Sequence, residues 1–425
     1  MVTVNLPYGK EEIQFDVPKE RISSILLPKD VPGSPDAYGT VRQALQSPME
    51  SPGLRSIVKQ GSVTIITDDF TRPTPAGVIC QAIIDELTEN GIEESQVTIL
   101  AAGGLHRPMR QSEMRAKFGD ELMKRIQIRA HDAWNQRELE YLGQTTRGTP
   151  VWINRSVANA SLRVTVGMIT AHFVAGYGSG PKTIMPGASG YQTIFHNHGV
   201  VSMSPDAKMG ITVGNPCWED MAEVTSLLGP TLAVDVVLNT RDEIVAAFHG
   251  TPISAQRAGL GLYNSIYGFH LNEKADIVIA SANPMFSYLD QTLKSIIHAS
   301  MLVRDGGTRI VVSPCEELLG PEYLRELYYS SLHPKWPTVQ EYGEMMRSGR
   351  IKDIADAVGI LKFLESNQAR LVVVCNPSFD DDLTRLGFEH AKNVQVAFEE
   401  AMIRHGPEAK VLIVPYGGVT HPVLE

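Results

Sequence analysis

The sequence predicts an α/β protein built from two doubly wound domains. Three observations carry this. Apolar runs of strand length alternate with helix-length stretches, the rhythm of parallel sheets covered by helices. The alternation breaks near 265–275 and then starts afresh. The chain has 425 residues, too many for one typical domain, and its 43% hydrophobic and 20% charged residues suit packed cores rather than disorder.

The elements follow in order. Val2–Leu6 and Ile13–Val17, joined across Pro7–Gly9, read as a hairpin. Ser62–Thr67 is a strand, and Pro75–Asn90 a helix stopped by Asn90-Gly91. Gln96–Ala101 is a second strand that runs into Gly103-Gly104-Leu105-His106. Arg163–Thr170 is a third, ending at Ala171-His172 before a glycine-rich loop, Gly176 to Gly190. Leu232–Leu238 and Ile244–His249 form an antiparallel pair across Asn239–Glu243. The second alternation comprises strands Ala275–Ala280, Thr308–Ser313, Arg370–Cys375 and Lys410–Pro415, with helices Asp290–Ala299, Tyr323–Tyr329 and Phe379–His390. The expected division is a domain of residues 1–268, with 408–425 as a candidate completion of it, and a second domain of 269–407.

Composition excludes several classes. A net charge of −10 gives no electrostatic footprint for nucleic acid or an anionic membrane. Cys80, Cys217, Cys315 and Cys375 lie far apart with no CxxC pair, which fits reduced, buried thiols in a cytoplasmic protein rather than a thiolate zinc site. Met1 to Pro18 alternates polar and apolar residues and lacks the apolar core of a signal peptide. No run approaches the roughly 18 apolar residues of a membrane span.

The polar residues cluster after strands. Asp68-Asp69-Phe70-Thr71-Arg72-Pro73, Gly104-Leu105-His106-Arg107 and Ala171-His172 each follow a strand's carboxyl end, where ligands sit in parallel α/β sheets. Between Gly176 and Gly190, Lys182 is the sole charge. A phosphate-loop reading fails there. Pro181 holds the position that needs glycine, and proline has no N–H to offer a phosphate. The glycines, Gly180 included, still let a ligand approach the backbone closely. His196 and His198, if on a strand, share one face and suit zinc, copper, iron or nickel. Gln291 and Lys294 are three apart on a helix near its start, a geometry that suits a carboxylate.

Together these pieces resemble the nickel-pincer lactate racemase family. The anchors are Asp69-Phe70-Thr71-Arg72-Pro73, Gly104-Leu105-His106-Arg107, Ala171-His172, the loop reaching Lys182, Pro186-Gly187, His196-Asn197-His198, and the pair Gln291 and Lys294. The resemblance covers most of the chain. It implies a cofactor and substrate cleft between the two domains. It also implies a pyridinium mononucleotide whose sulfur groups and a ring carbon grip nickel, with Lys182 as the point of covalent attachment and His198 as the remaining metal ligand. Asp69, Phe70, Thr71, Arg72, Gly180 and Pro181 would lie against this cofactor. His106 and His172 correspond to the acid–base pair, and Arg72, Gln291 and Lys294 to the substrate carboxylate contacts.

The implied activity is inversion of a 2-hydroxy acid by reversible hydride removal through a 2-keto acid. Side chains cannot accept a hydride, so a cofactor is needed. Histidine can both take and return a proton near neutrality. Cofactor-synthesis proteins are the implied maturation partners. Asp290 stands where lactate-using relatives often carry an aromatic residue, and Ile351–Leu361 lacks the tryptophan they carry. A bulkier or more polar 2-hydroxy acid is therefore at least as well supported as lactate. Two other readings stay open: a zinc or iron hydrolase using His196, His198 and a strand-end histidine, and a non-catalytic binder of a small carboxylate.

Overall fold

The computed structural model describes residues 1–57, 61–317, 340–341, 344, 348, 369–385 and 388–424. The chain forms two units, Asp30–Ile266 and Met1–Lys29 with Tyr267–Glu425.

In the first unit a six-stranded sheet runs in the order Ile244–Gly250, Thr231–Leu238, Leu162–Met168, Val63–Thr67, Val97–Ala101, Gln127–Ala130. The four pairings from Thr231–Leu238 to Gln127–Ala130 are parallel, and Ile244–Gly250 is an antiparallel edge. Every residue of Val63–Thr67 and of Leu162–Met168 is buried, which is why these strands read as apolar runs rather than alternations. Helix Ala76–Glu89 covers one face with Ile79, Ile83, Ile84 and Leu87. From Val63–Thr67 the chain first moves outward through Val97–Ala101, then returns to the other side at Leu162–Met168. The strand order thus reverses between Val63–Thr67 and Leu162–Met168, and a crevice opens at the carboxyl ends of such a pair.

The second unit holds a parallel sheet ordered Glu389–His390, Arg370–Val374, Val303–Val312, Ala275–Ser281, Val411–Val414, Ile22–Ile25. Helix Leu289–Leu302 follows strand Ala275–Ser281, and Val394–His405 packs into the core with Val394, Ala397, Phe398 and Ala401.

Several expectations change. Residues 1–29 belong with the C-terminal half, not with a domain of 1–268. The hairpin Val2–Tyr8 and Glu11–Val17 sends Val4, Leu6, Phe15 and Val17 into one core with Ile277, Ile279, Ile310 and Phe398. Val411–Val414 pairs with Ala275–Ser281, so 408–425 does not complete the first sheet. The expected helix Phe379–His390 is a short helix, Asp380–Arg385, followed by strand Glu389–His390. The expected helix Tyr323–Tyr329 and the stretch Ile351–Leu361 lie outside the described residues. The edge strand Gln127–Ala130 and helices Ala37–Gln46, Pro216–Ser226 and Pro252–Tyr267 are additional to the expected elements.

Candidate functional site

The loops after the three central strands of the first sheet carry the polar cluster. Asp69 is 3% exposed, and its carboxylate is fully engaged. Its Oδ2 meets His106 Nδ1 at 2.7 Å, and its Oδ1 accepts from Thr71 N (3.1 Å) and Thr71 Oγ1 (2.6 Å). Arg72 Nη1 donates to Thr71 Oγ1 at 2.8 Å. Burial alone would raise the Asp69 pKa, but the His106 charge, the hydrogen bonds from His106 and Thr71, and the Arg72 charge together hold it well below the ordinary carboxylate range. Lys117 Nζ ties this loop down from beneath, donating to Asp68 Oδ1, Asp69 O and Arg72 O at 2.8, 2.7 and 3.0 Å. Gly103 makes the Asp69–His106 contact possible, because a Cβ there would sit 2.6 Å from Asp69 Oδ2. Arg107 lies over the Phe70 ring at 4.4 Å.

An ionised Asp69 accepts a hydrogen bond from His106 Nδ1–H, so the ring, when neutral, carries its lone pair on Nε2. His172 is set the other way. Its Nδ1 accepts from Ala175 N–H at 3.2 Å, which leaves the ring proton on Nε2. His172 is buried, stacked on Phe173 at 4.6 Å between centroids, and held in a two-residue antiparallel pairing, Ala171↔Tyr177 and His172↔Gly176. The tight return relies on Gly176 at φ +72°, where a Cβ would lie 2.0 Å from Ile211 O.

Lys182 sits in the turn Gly180–Thr183. Ser179 adopts φ 63° and ψ −165°, a region almost reserved for glycine that costs roughly 1–3 kcal/mol. Lys182 N donates to Ser179 O at 3.0 Å, and Gly187 N to Lys182 O at 3.2 Å. Gly104 N donates to Gly187 O at 2.9 Å, so the His106 and Lys182 loops are stitched together.

His198 is buried, with its ring centroid 5.7 Å from that of His172. Its Nδ1 donates to Asn197 Oδ1 at 2.7 Å, which puts the lone pair of the neutral ring on Nε2. The Asn197 amide is fixed in turn, because its Nδ2 donates to Cys217 O (3.0 Å) and Asp220 Oδ2 (2.8 Å). The His-x-His pair is not on a strand. Residues Phe195–Val200 are helical, and a spacing of two on a helix turns the rings to different sides. His196 instead joins Thr149, with its Nδ1 2.8 Å from Thr149 Oγ1, whose own proton goes to Asp220 Oδ2 at 2.7 Å. Among the described residues no group of three or more His, Cys, Asp or Glu side chains is arranged to hold a metal ion. The hydrolase site weighed from the sequence is therefore not assembled there.

In the second unit, Lys294 Nζ donates to Gln291 Oε1 at 2.8 Å, and Gln291 Nε2 to Asp290 Oδ2 at 3.0 Å. All three are buried near the start of helix Leu289–Leu302. The four cysteines are free and buried.

Sequence reasoning missed the supporting groups. Asn197 lay in view between two histidines. In Pro216–Ser226, Asp220 carries no sequence signal that separates it from a solvated helix acid. Asp235 alone carries a signal, as a lone carboxyl inside the apolar strand Thr231–Leu238, where an unpartnered acid is unfavourable.

Comparison with known proteins gives this arrangement a class. The lactate racemase N-terminal domain matches residues 8–210, and the lactate racemase C-terminal domain matches residues 271–420. The lactate racemase of Thermoanaerobacterium thermosaccharolyticum is 31% identical over 341 residues, 79% of this chain and 80% of that protein. The lactate racemase of Lactiplantibacillus plantarum is 27% identical over 424 residues, 98% of this chain and 99% of that one. The solved apoprotein of the Thermoanaerobacterium thermosaccharolyticum lactate racemase superposes with a TM-score of 0.85 at 27% identity, covering 99% of this chain and 100% of that one. A Thermotoga maritima protein shares the fold alone, with a TM-score of 0.73 at 14% identity over 93% of this chain and 100% of that one. The chain is an isomerase of the racemase class. It belongs to the lactate racemase family.

Proposed function

We propose that this protein interconverts the two hands of a small 2-hydroxy acid by reversible oxidation to a 2-keto acid, with His106 and His172 as its acid–base pair. The observation that carries the reading is their opposite tautomers. His106 offers a lone pair at Nε2 while His172 offers a proton there. Inversion needs a hydroxyl proton removed on one approach and one returned on the other. In this resting state His106 is the base, while His172 donates a hydrogen bond toward the substrate oxygen and returns a proton only as an imidazolium. Asp69 stabilises the His106 imidazolium that forms when Nε2 takes the proton, and it holds the ring's orientation.

The residues fit a nickel-pincer nucleotide. His198 presents a buried imidazole whose Nδ1–H is committed to Asn197, a donor type that suits nickel. A single protein ligand accords with a cofactor that brings its own donors. Lys182 is the proposed attachment point, and Asp69, Phe70, Thr71, Arg72, Gly180 and Pro181 the proposed lining. When bound, this cofactor supplies the hydride acceptor that no side chain provides. Arg72, Gln291 and Lys294 are the proposed carboxylate contacts, with the Lys294–Gln291 hydrogen bond orienting the ammonium. Cofactor-synthesis proteins would mature the chain, in the cytoplasm. No helix among the described residues is long and apolar enough to cross a membrane.

The test is holoprotein made with the cofactor-synthesis proteins and nickel, and offered a panel of single-enantiomer 2-hydroxy acids. One of them is expected to scramble. His106→Ala and His172→Ala should each lower that rate by about 10²–10⁴-fold. Full activity in both variants overturns the assignment.

A further inference from the structure

We infer that Asp235 and Gln256 are positioning residues for Lys182, forming a polar socket that holds the Gly178–Lys182 turn in its presenting conformation. This rests on Lys182 being the cofactor attachment point.

The socket is built from the sheet upward. Asp235 pairs with Gly167 in parallel register, so both positions face the same side of the sheet. Gly167 leaves that side open. A Cβ there would lie 3.2 Å from Ser179 Cβ and 3.3 Å from Thr183 Oγ1, so the turn rests directly on the strand. Asp235 Oδ1 accepts Gly180 N–H at 3.4 Å, and the Ser179 hydroxyl lies beside the carboxyl. From the other side Gln256 Nε2 donates to Gly178 O (2.9 Å) and Ser179 O (3.1 Å). Gln256 is itself oriented by Trp218 Nε1, which donates to its Oε1 at 2.9 Å. Gly180 has φ +55°, and a Cβ there would come within 2.7 Å of Pro252 O.

Two successive residues at positive φ, Ser179 and Gly180, relax unless their surroundings fix them. Asp235 and Gln256 bond the backbone of both residues and of Gly178, with Pro181 alone between Gly180 and Lys182. Asp235 is fully buried, and burial pushes its pKa up to about 8, so at neutral pH it acts as an uncharged acceptor. Nothing in an apolar strand requires a carboxyl there. The Gly180 N–H requires an acceptor, and Asp235 supplies it.

The experiment uses Asp235→Asn, Asp235→Leu and Gln256→Met, produced with the cofactor-synthesis proteins and nickel. The readout is the intact mass of the Lys182 adduct, with amide exchange at Gly180 measured on apoprotein. Asp235→Asn keeps a neutral acceptor and should load within about threefold of the parent chain, while Asp235→Leu and Gln256→Met should load about tenfold less and exchange Gly180 about tenfold faster. Parent-like loading in Asp235→Leu and Gln256→Met overturns the proposal, as does an Asp235→Asn variant as defective as Asp235→Leu. Should Asp235→Leu not fold, Gln256→Met decides by the same two measurements. A parent chain carrying no adduct removes Lys182 as the attachment point, and Gly180 exchange alone then decides the socket. Exchange unchanged in Asp235→Leu and Gln256→Met overturns it.

Discussion

Asp69 is buried against His106 and Thr71, and its charge is what keeps the His106 proton on Nδ1. Because its pKa is depressed on folding, it contributes stability that is fully present above its unfolded value of about 4 and is lost as pH falls below it. Asp69→Asn is expected to destabilise the protein at pH 7 by on the order of 2 kcal/mol, with the gap to the parent narrowing toward pH 3. Denaturant melts of both chains across that range check this. A gap that stays constant with pH would show that the carboxylate charge is not what matters. The proposed site residues Asp69, His106, His172, Lys182 and His198 can be named at this scale, because they are polar groups at strand ends or in glycine-rich turns. The tautomers cannot. They depend on Ala175 N–H and Asn197 Oδ1 arriving at particular ring nitrogens, and no residue type encodes that.

Among elements, the short pairing of Ala171-His172 with Gly176-Tyr177 decides where His172 points. Gly176 combines a φ of +72° with a Cβ position 2.0 Å from Ile211 O. Gly176→Ala should therefore lower stability by roughly 2–4 kcal/mol, read as a fall in melting temperature, and should loosen His172. Gly91→Ala is the control. It also has positive φ, but nothing lies within 4 Å of its Cβ position, so its loss should be smaller. Equal losses at the two sites would mean that φ alone, not the contact with Ile211, sets the effect. The strands were legible from their apolar runs. The His196–His198 segment was not, because alternating polar residues fit a strand as well as a helix until neighbours select one. Here the helix routes His196 to Thr149 and His198 to Asn197.

At the scale of the whole molecule, the first 29 residues complete the unit made by the last part of the chain. Ile22–Ile25 pairs with Val411–Val414, and the hairpin before it seals Ile277, Ile279 and Ile310. Deleting residues 1–29 should thus expose an apolar core in the C-terminal unit. The shortened chain is expected to aggregate, with proteolysis sparing a fragment near 30–266. A soluble, protease-resistant C-terminal unit in the shortened chain would contradict that. The sequence by itself determined the parallel α/β character, the break in the alternation at 265–275 and the polar residues gathered after the strands, since periodicity and local composition are properties of neighbours along the chain. Only the tertiary structure decided which unit the N-terminus joins, which ring nitrogens carry protons and which buried groups support Lys182. The place of the N-terminus and the groups around the Lys182 turn depend on contacts between residues tens to hundreds of positions apart, and the ring protons of His172 and His198 on local contacts whose geometry the fold sets.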